Sequence, residues 1–491
     1  MSEHCYIACD LGAESGRVIL GRLADGRITL EEIHRFPNGA IKIAGSLRWD
    51  LLRIFEELKA GLRKVAAREL PVESLSVDSW GVDYVLSGAG QPMLSPPYQY
   101  RDARADHTYA AAMKSPGPEL IFAETGIQFM TINSLYQLLA DLETSPALLH
   151  LADQFLTIAD YFHYLFSGVA AIEESLASTT QLYNPKTRAW SQQLIKAFGF
   201  PTHLFPKIVP SGTRLGEILP EIAAETGLKS TAVVATCSHD TNAAIAAVPA
   251  SGDDWAYLSS GTWSLIGVEL PAPLINDTAR SGDFSNEAGF GGTTCFLKTI
   301  VGLWILQEAR RTWSIGGQDL EYHILAQMAE ETEPFRSLIH PDDPRFLKPN
   351  NMPAKIATYC RETGQPKPET PGQVTRCIYE SLALLYRESL DGIESQTGRK
   401  ISRLHIVGGG SQSCLLNQFA ANATGRRVLA GPVEATAIGN LLIQAIACGH
   451  LGSLAELRRT VAASFPVEEY LPDDRSEWEQ AFARFRSLRA K

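Results

Sequence analysis

The chain opens on Cys5-Tyr6-Ile7-Ala8-Cys9-Asp10-Leu11-Gly12-Ala13-Glu14-Ser15-Gly16-Arg17 and continues through Val18 to Phe36. Cys5 to Asp10 is an apolar run of strand length, Leu11 to Gly16 is a glycine-bearing turn, and Arg17 to Leu23 resumes the strand pattern. Ala24-Asp25-Gly26-Arg27 then turns the chain into Ile28 to Phe36, because Asp-Gly accepts the positive backbone angles of a tight hairpin. Three antiparallel strands are expected. Asp50 follows as an N-cap for a helix over Leu51 to Arg68, with Leu52, Phe55, Leu58 and Leu62 recurring on one face. Ser74 to Asp78 and Val82 to Leu86 read as strands flanking Ser79-Trp80-Gly81.

Outward from that opening, the next informative stretch lies near the midpoint. Strand-like Ala232 to Ala235 leads into Cys237-Ser238-His239-Asp240-Thr241-Asn242-Ala243-Ala244, and the alanine-rich run to Ala247 leads out as a helix. Polar side chains thus stand where a strand hands over to a helix, the place where open α/β sheets hold their ligands. Asp240 is the candidate for the chemistry. A hydrolase triad is excluded, since three consecutive side chains point in different directions and cannot align nucleophile, base and orienting acid. The alternative at this point is that Asp240 is a helix N-cap, accepting orphan backbone N–H groups.

Beyond Pro249 to Asp254, read as a linker, the opening grammar repeats. Trp255 to Ser259 is a strand, Ser260-Gly261-Thr262 a turn and Trp263 to Leu270 a second strand. A helix over Gly302 to Trp313 stops at Gly316-Gly317, and Thr370 with Pro371 opens a long helix to about Thr397. Leu404 to Val407, Gly408-Gly409-Gly410, a helix over Ser413 to Thr424, Arg427 to Ala430 and a helix over Glu434 to Cys448 form a β-α-β-α tail. The repeat implies two similar α/β domains, 1–248 and 249–491, with their turns at one cleft.

Composition narrows the class. A chain of 491 residues exceeds one ordinary core, and its net charge of −11 argues against a surface that tracks nucleic-acid phosphates. Met1-Ser2-Glu3-His4 is not a signal peptide, and no uncharged apolar run reaches transmembrane length. The eight cysteines contain no CxxC spacing, so reduced thiols and a cytoplasmic location are expected. GxxxxGK[ST] is absent, which closes the P-loop route to ATP. Gly408-Gly409-Gly410 approaches a dinucleotide fingerprint, but Ser413 stands at its third glycine and Ala430-Gly431-Pro432 replaces the ribose-binding acid. Tyr98-Gln99-Tyr100-Arg101-Asp102-Ala103-Arg104 is either a polyol-holding insertion or a solvated run.

Taken in order, six motifs resemble those of the FGGY family of carbohydrate kinases. They are Asp10 to Arg17, Trp80-Gly81-Val82-Asp83, Tyr100-Arg101-Asp102, His239-Asp240-Thr241, Ser260-Gly261-Thr262-Trp263-Ser264 and Gly408-Gly409-Gly410. Within the family the set is most similar to the rhamnulokinase branch, including Gly302-Leu303-Trp304 before Gln307 and Gly431 to Ala435. The resemblance implies two ribonuclease-H-like domains of the actin-like ATPase fold, with the active site in the cleft between them. It implies phosphorylation of the C1 hydroxyl of L-rhamnulose by ATP with Mg2+. On that resemblance Ala13, Glu14, Ser15, Gly16 and Arg17 line the ATP phosphates, Thr262 meets them, and Gln307 and Gly409 sit at the nucleotide. Gly81, His239, Asp240, Thr241 and Thr299 face the sugar, Asp240 is the general base, and Asp10 places Mg2+ through water. Two departures stand out, Thr299 where the branch usually carries Asn and Glu14 where a smaller residue is common. Other ketose kinases acting on L-fuculose or L-xylulose, an actin-like ATPase and a non-catalytic sugar binder are the competing readings. The expected partner is a small ketose, with neither nucleic acid nor membrane, for a monomer or homodimer.

Overall fold

The computed structural model describes residues 3–473 and 475–488, which form two compact units. The first gathers three segments, one ending at Pro249, then Glu269–Phe296 and Ala435–Ser464. The second gathers Ala250–Val268, Leu297–Glu434 and the chain from Phe465 onward. A single cut at 248/249 therefore marks the first crossing but assigns to the second half two segments that pack with the first. The reason is visible in those segments, where Ala435–Ala447 is a helix buried along Ala435 and from Ala437 to Ala445.

In the first unit a six-stranded sheet runs in the order Thr213–Glu217, Ala232–Ala235, Val72–Ser79, His4–Leu11, Ser15–Ala24 and Arg27–Pro37. His4–Leu11 pairs antiparallel with Ser15–Ala24 and parallel with Val72–Ser79, so the opening hairpin is followed by a crossover. The crossover helix is Leu51–Ala66, whose Asp50 side chain accepts the Arg53 N–H at 3.1 Å. Its buried face is Leu51, Ile54, Leu58, Leu62 and Val65. Leu52 is instead 65% exposed, because it lies about 100° around the helix from Leu51. The expected face was thus one residue out of phase at its start. The second strand of the Trp80 region also starts later than expected, at Tyr84.

Helices cover both faces of this sheet. Val18 and Gly21 lie an odd number of residues apart on one strand and so point to opposite faces. A Cβ on Gly61 of Leu51–Ala66 would touch Val18, whereas a Cβ on Gly21 would touch Leu441 of Ala435–Ala447. Both helices therefore lie close enough to need a glycine at the contact.

The second unit repeats the plan. Its strands run in the order Thr294–Val301, Trp263–Leu270, Trp255–Ser260, Arg403–Val407, Arg427–Ala430 and Glu468–Tyr470. Trp255–Ser260 pairs antiparallel with Trp263–Leu270 and parallel with Arg403–Val407, matching the first unit's hairpin and crossover strand. The long helix Pro371–Thr397 opens where the Thr370 side chain accepts the Gln373 N–H at 3.2 Å and ends at left-handed Gly398. The repeat read from turn positions is therefore a repeat of topology.

Gly439 gives the tightest check on the first unit's packing, since a Cβ there would lie 1.9 Å from the Ala243 carbonyl oxygen. Helix propensity alone favours Ala over Gly by about 1 kcal/mol. The clash is with backbone and reverses the sign. Gly439→Ala is expected to destabilise by about 1–3 kcal/mol, read as a lower urea midpoint against wild type.

Candidate functional site

The first unit's site is built at the carboxyl ends of its parallel strands. Asp10 and Asp78 are register partners on adjacent strands, and both are buried. Arg17, the antiparallel partner of Asp10, donates to its Oδ2. Asp78 Oδ2 accepts from Asn440 Nδ2 at 2.5 Å, while its Oδ1 is buried and has no hydrogen-bond partner. Burial, and then the Asp10 and Asp240 charges, push Asp78 well above the usual carboxylate range, against opposition from Asn440 and Arg17.

The third strand brings the central octet to the same end of the sheet. Past Ala235 the chain stays alongside Val72–Ser79, with the Ser79 N–H donating to Ser238 O at 2.9 Å and a parallel bridge between Ser79 and His239. Glu173 Oε2 accepts the Ser238 N–H at 3.0 Å and Ser175 Oγ accepts the His239 N–H at 3.1 Å, which fixes the backbone just before Asp240. His239 Nδ1 stands 3.1 Å from Glu287 Oε2, and its Nε2 stands 3.5 Å from Asp240 Oδ1. Burial pulls the His239 imidazolium pKa down, but the Glu287 charge and hydrogen bond, helped by Asp240 and Glu173, outweigh it, so the ring titrates above its ordinary value.

Asp240 is the first residue of the helix Asp240–Ala246, and the position before it belongs to His239, whose side chain makes no capping bond. An N-cap oxygen reaches N–H groups two or three residues ahead. Asp240 Oδ1 reaches only Thr241, accepting its N–H at 2.6 Å and its hydroxyl at 3.3 Å. The cap reading therefore fails on geometry. The Asp240 side chain keeps 33% of its surface open, so a proton acceptor is left facing solvent. Burial raises its pKa first, His239 lowers it, and Asp10 raises it further, for a net rise.

Around this centre the Trp80 motif is partly scaffold. Asp83 accepts from the Trp49 indole at 2.6 Å, the Trp80 indole at 3.0 Å, Gln137 at 3.1 Å and the Tyr100 N–H at 3.2 Å. Its carboxyl sits at about 6, raised by burial and held from rising further by those donors. Gly81 stands where a Cβ would press the Thr179 side chain at 3.0 Å, and Val82 takes a positive φ of 69° behind it. Asp102 accepts the Leu47 and Arg104 N–H groups, and half-buried Arg104 is the ion-pair partner of buried Asp141 and stacks on Tyr98. Both are committed to the fold, which removes the polyol-clamp reading for that pair.

The first turn is shaped by the same strand-end geometry. The Gly12 N–H donates to Ser15 O and the Asn38 amide donates to Gly12 O, closing the turn that carries Ala13, Glu14 and Ser15. Glu14 is exposed. Gly16 is required by packing, since a Cβ there would lie 2.2 Å from the Phe36 ring.

In the second unit the turn at Thr262 is the hub. Leu303 N–H donates to Gly261 O at 2.9 Å and Trp304 N–H donates to Thr262 O at 3.2 Å, which brings the start of Trp304–Ile315, and Gln307 in its first turn, to that turn. Gly410 packs so closely on Ser260 that a Cβ would overlap its side chain, whereas a Cβ on Gly409 would meet nothing within 4 Å. Gln307 Oε1 is buried without a partner. A buried polar atom without a partner is one that a ligand's donor would satisfy. Thr299, half-buried on Thr294–Val301, also belongs to the second unit.

Sequence matches are consistent with these geometries. Residues 5–247 match the FGGY family of carbohydrate kinases, N-terminal domain, and residues 256–448 match its C-terminal domain. The chain belongs to the FGGY family of carbohydrate kinases. It is 42% identical to the rhamnulokinase of Bacteroides thetaiotaomicron over 98% of this chain and 99% of that protein. It is 42% identical to the Enterococcus faecalis rhamnulokinase over 96% of this chain and 94% of that one. Among solved structures, ligand-bound xylulose kinase from Lactobacillus acidophilus superposes with a TM-score of 0.85 at 16% identity, covering 99% of this chain and 98% of that one. Plasmodium falciparum glycerol kinase with ADP superposes at a TM-score of 0.78 and 14% identity, covering 98% of each chain. The two-unit α/β architecture is thus that of FGGY kinases, consistent with the actin-like ATPase fold. This FGGY kinase acts on a small sugar with ATP as phosphoryl donor, and no helix among its described residues is long and apolar enough to cross a membrane.

The residues that sequence reasoning missed are Asp78, Asn440, Glu173 and Glu287. Asp78 carried a usable signal, because the last polar residue of a parallel strand beside Asp10 lands at the same sheet end. The other three arrive from distant segments and carry no local pattern. Glu173 also has a measurable consequence. Burial raises its carboxyl from 4.5 to about 7, so its contribution favours the fold below about pH 4.5 and fades as pH rises to about 7. That is about 3 kcal/mol for a fully buried group. Glu173→Gln is expected to flatten the loss of denaturation midpoint between pH 5 and pH 8 by an amount of this order.

Proposed function

We propose that this FGGY kinase transfers the γ-phosphoryl group of ATP to the C1 hydroxyl of L-rhamnulose, yielding L-rhamnulose 1-phosphate and ADP. The observation that carries the substrate name is near-full-length identity of 42% to proteins named rhamnulokinase, far above the 16% shared with the xylulose kinase. The chemistry is supported by Asp240, an open carboxylate on a backbone fixed by Glu173 and Ser175. In this reading Asp240 accepts the C1 hydroxyl proton as the oxygen attacks the γ-phosphorus, the bond to the β-phosphate oxygen breaks, and ADP leaves. A raised pKa makes Asp240 a stronger base than an ordinary carboxylate.

In the first unit, Gly81, His239 and Thr241 hold the sugar, with Glu287 keeping the His239 ring in place and charged more readily. Ala13 to Arg17 offer backbone donors and one guanidinium to phosphate oxygens. In the second unit, Thr262, Gln307 and Gly409 serve the nucleotide and Thr299 serves the sugar. The hard carboxylate oxygens of Asp10 suit Mg2+, which keeps waters in its shell, so Asp10 would hold it through water. Mg2+ when bound neutralises phosphate charge. Consumption of ATP places the work in the cytoplasm.

Asp240→Asn is expected to lower kcat by about two to four orders of magnitude while the ATP dissociation constant stays near wild type, measured by coupled ADP release and calorimetry. Turnover close to wild type would remove Asp240 from the chemistry.

A ketose panel tests the substrate. L-rhamnulose is expected to give the highest kcat/KM, with L-fuculose or L-xylulose measurable behind it. A Thr hydroxyl has a shorter reach and fewer donors than the Asn amide usual at this position. One neutral hydrogen bond is worth about 0.5–1.5 kcal/mol, so Thr299→Asn is expected to widen the L-rhamnulose preference by about threefold to tenfold. Unchanged ratios in that variant would take Thr299 out of sugar recognition, and a different best ketose would overturn the substrate name.

A further inference from the structure

At the opposite end of the first unit's sheet from Asp10, Asp78 and Asp240, three other ionisable side chains converge. His4 begins the strand that Asp10 nearly ends, a separation of about 20 Å at strand rise. Glu73 begins the neighbouring strand, and His450 follows the helix Ala435–Ala447. Among the described residues, this is where three His, Cys, Asp or Glu side chains bring potential ligand atoms within 4.8 Å of one another.

The arrangement is ordered. His4 Nδ1 lies 2.5 Å from Glu73 Oε1, and His450 Nε2 lies 3.4 Å from Glu73 Oε2. The two imidazoles stack with centroids 3.6 Å apart and planes 20° from parallel. A buried hydroxyl, that of Tyr6, stands 2.5 Å from His450 Nδ1. With Nδ1 engaged by Tyr6, His450 presents Nε2 toward the carboxylate, the geometry in which an outer partner fixes a ligating ring.

We propose that His4, Glu73 and His450 bind a divalent transition-metal ion of the zinc class, with Tyr6 as a positioning residue for His450. Two imidazoles and one carboxylate with a water in the fourth position are a zinc donor set, whereas Mg2+ and Ca2+ take oxygen ligands throughout. The bound ion ties the first strand, its parallel neighbour and the end of the returning segment Ala435–Ser464 to one point. It is a clip on the fold, remote from phosphoryl transfer.

The test uses the full-length chain, stripped with EDTA and dialysed, then titrated with ZnCl2 by calorimetry in excess Mg2+ and with CoCl2 by visible absorption. Expected are one equivalent per chain, a tetrahedral Co2+ band without a thiolate charge-transfer band, and a higher thermal midpoint with Zn2+. His450→Gln and Glu73→Gln are expected to abolish the equivalent. Tyr6→Phe, which leaves all three ligands, is expected to weaken Zn2+ by about 10- to 100-fold with kcat for sugar phosphorylation unchanged. Absence of a wild-type equivalent, a thiolate band in wild type, or identical Zn2+ affinity in Tyr6→Phe and wild type would each overturn the site. None of these readings depends on which sugar is phosphorylated.

Discussion

Two side-chain amides, one helical turn apart, close the first unit. Gln444 Nε2 donates to the Ile7 carbonyl at 2.9 Å and to Asn440 Oδ1 at 2.7 Å, Gln444 Oε1 accepts the Ser74 hydroxyl at 2.7 Å, and Asn440 Nδ2 donates to Asp78. Three of these contacts join the helix Ala435–Ala447 to one of the two central strands, and the fourth ties the two amides to each other. Buried amides of this kind are favourable when satisfied and strongly unfavourable when half-satisfied. The unit therefore has no complete core or complete polar network until a segment synthesised far later arrives. Loop closure over such a distance weighs on the folding rate more than on stability. Gly439 and Gly21 belong to the same constraint, because the first lets this helix lie against the Ala243 backbone of the helix Asp240–Ala246 and the second lets Leu441 pack onto the sheet.

That closure also sets the site's charge. Asn440 gives Asp78 a donor but not a cation, and Arg17 donates to Asp10. Burial, and then the nearby Asp10 and Asp240 charges, hold Asp78 well above the ordinary carboxylate range. Asp240 is the most open of the three carboxyl groups. The same geometry that makes the fold dependent on its late helix thus gives neighbouring carboxyl groups different surroundings, Asp78 sealed against Asn440 and Asp240 partly open.

Much of this was legible from residues and some was not. The opening strands, the Asp50 and Thr370 caps, the Asp-Gly hairpin and the repeat at Ser260-Gly261-Thr262 all carry local chemistry, and local chemistry survives in sequence. Leu52 misled because Leu51 and Leu52 are equally apolar and only the sheet decides which one faces it. Asp102 and Arg104 looked ligand-like because a buried ion pair and a solvent-facing clamp use the same residues, and burial alone separates them. Asp240 was visible at a strand-to-helix junction, but Glu173 and Glu287, which hold Ser238 and His239, sit in segments whose proximity is created by the fold.

The repeat itself carries the last step. In the first unit the register of the parallel central strands places Asp10 against Asp78, and in the second the equivalent strands place Ser259 against Val407 just before Ser260 and Gly408. One copy of the plan ends its strands in carboxylates, which accept protons and suit hard cations. The other ends them in small residues and glycines, leaving Gly409 open and the backbone approachable, as a phosphate-bearing ligand requires. Identical topology has been loaded with opposite chemistry. The side chains at two strand ends, rather than the architecture around them, set what each unit offers, carboxylates in one and small residues with open backbone in the other.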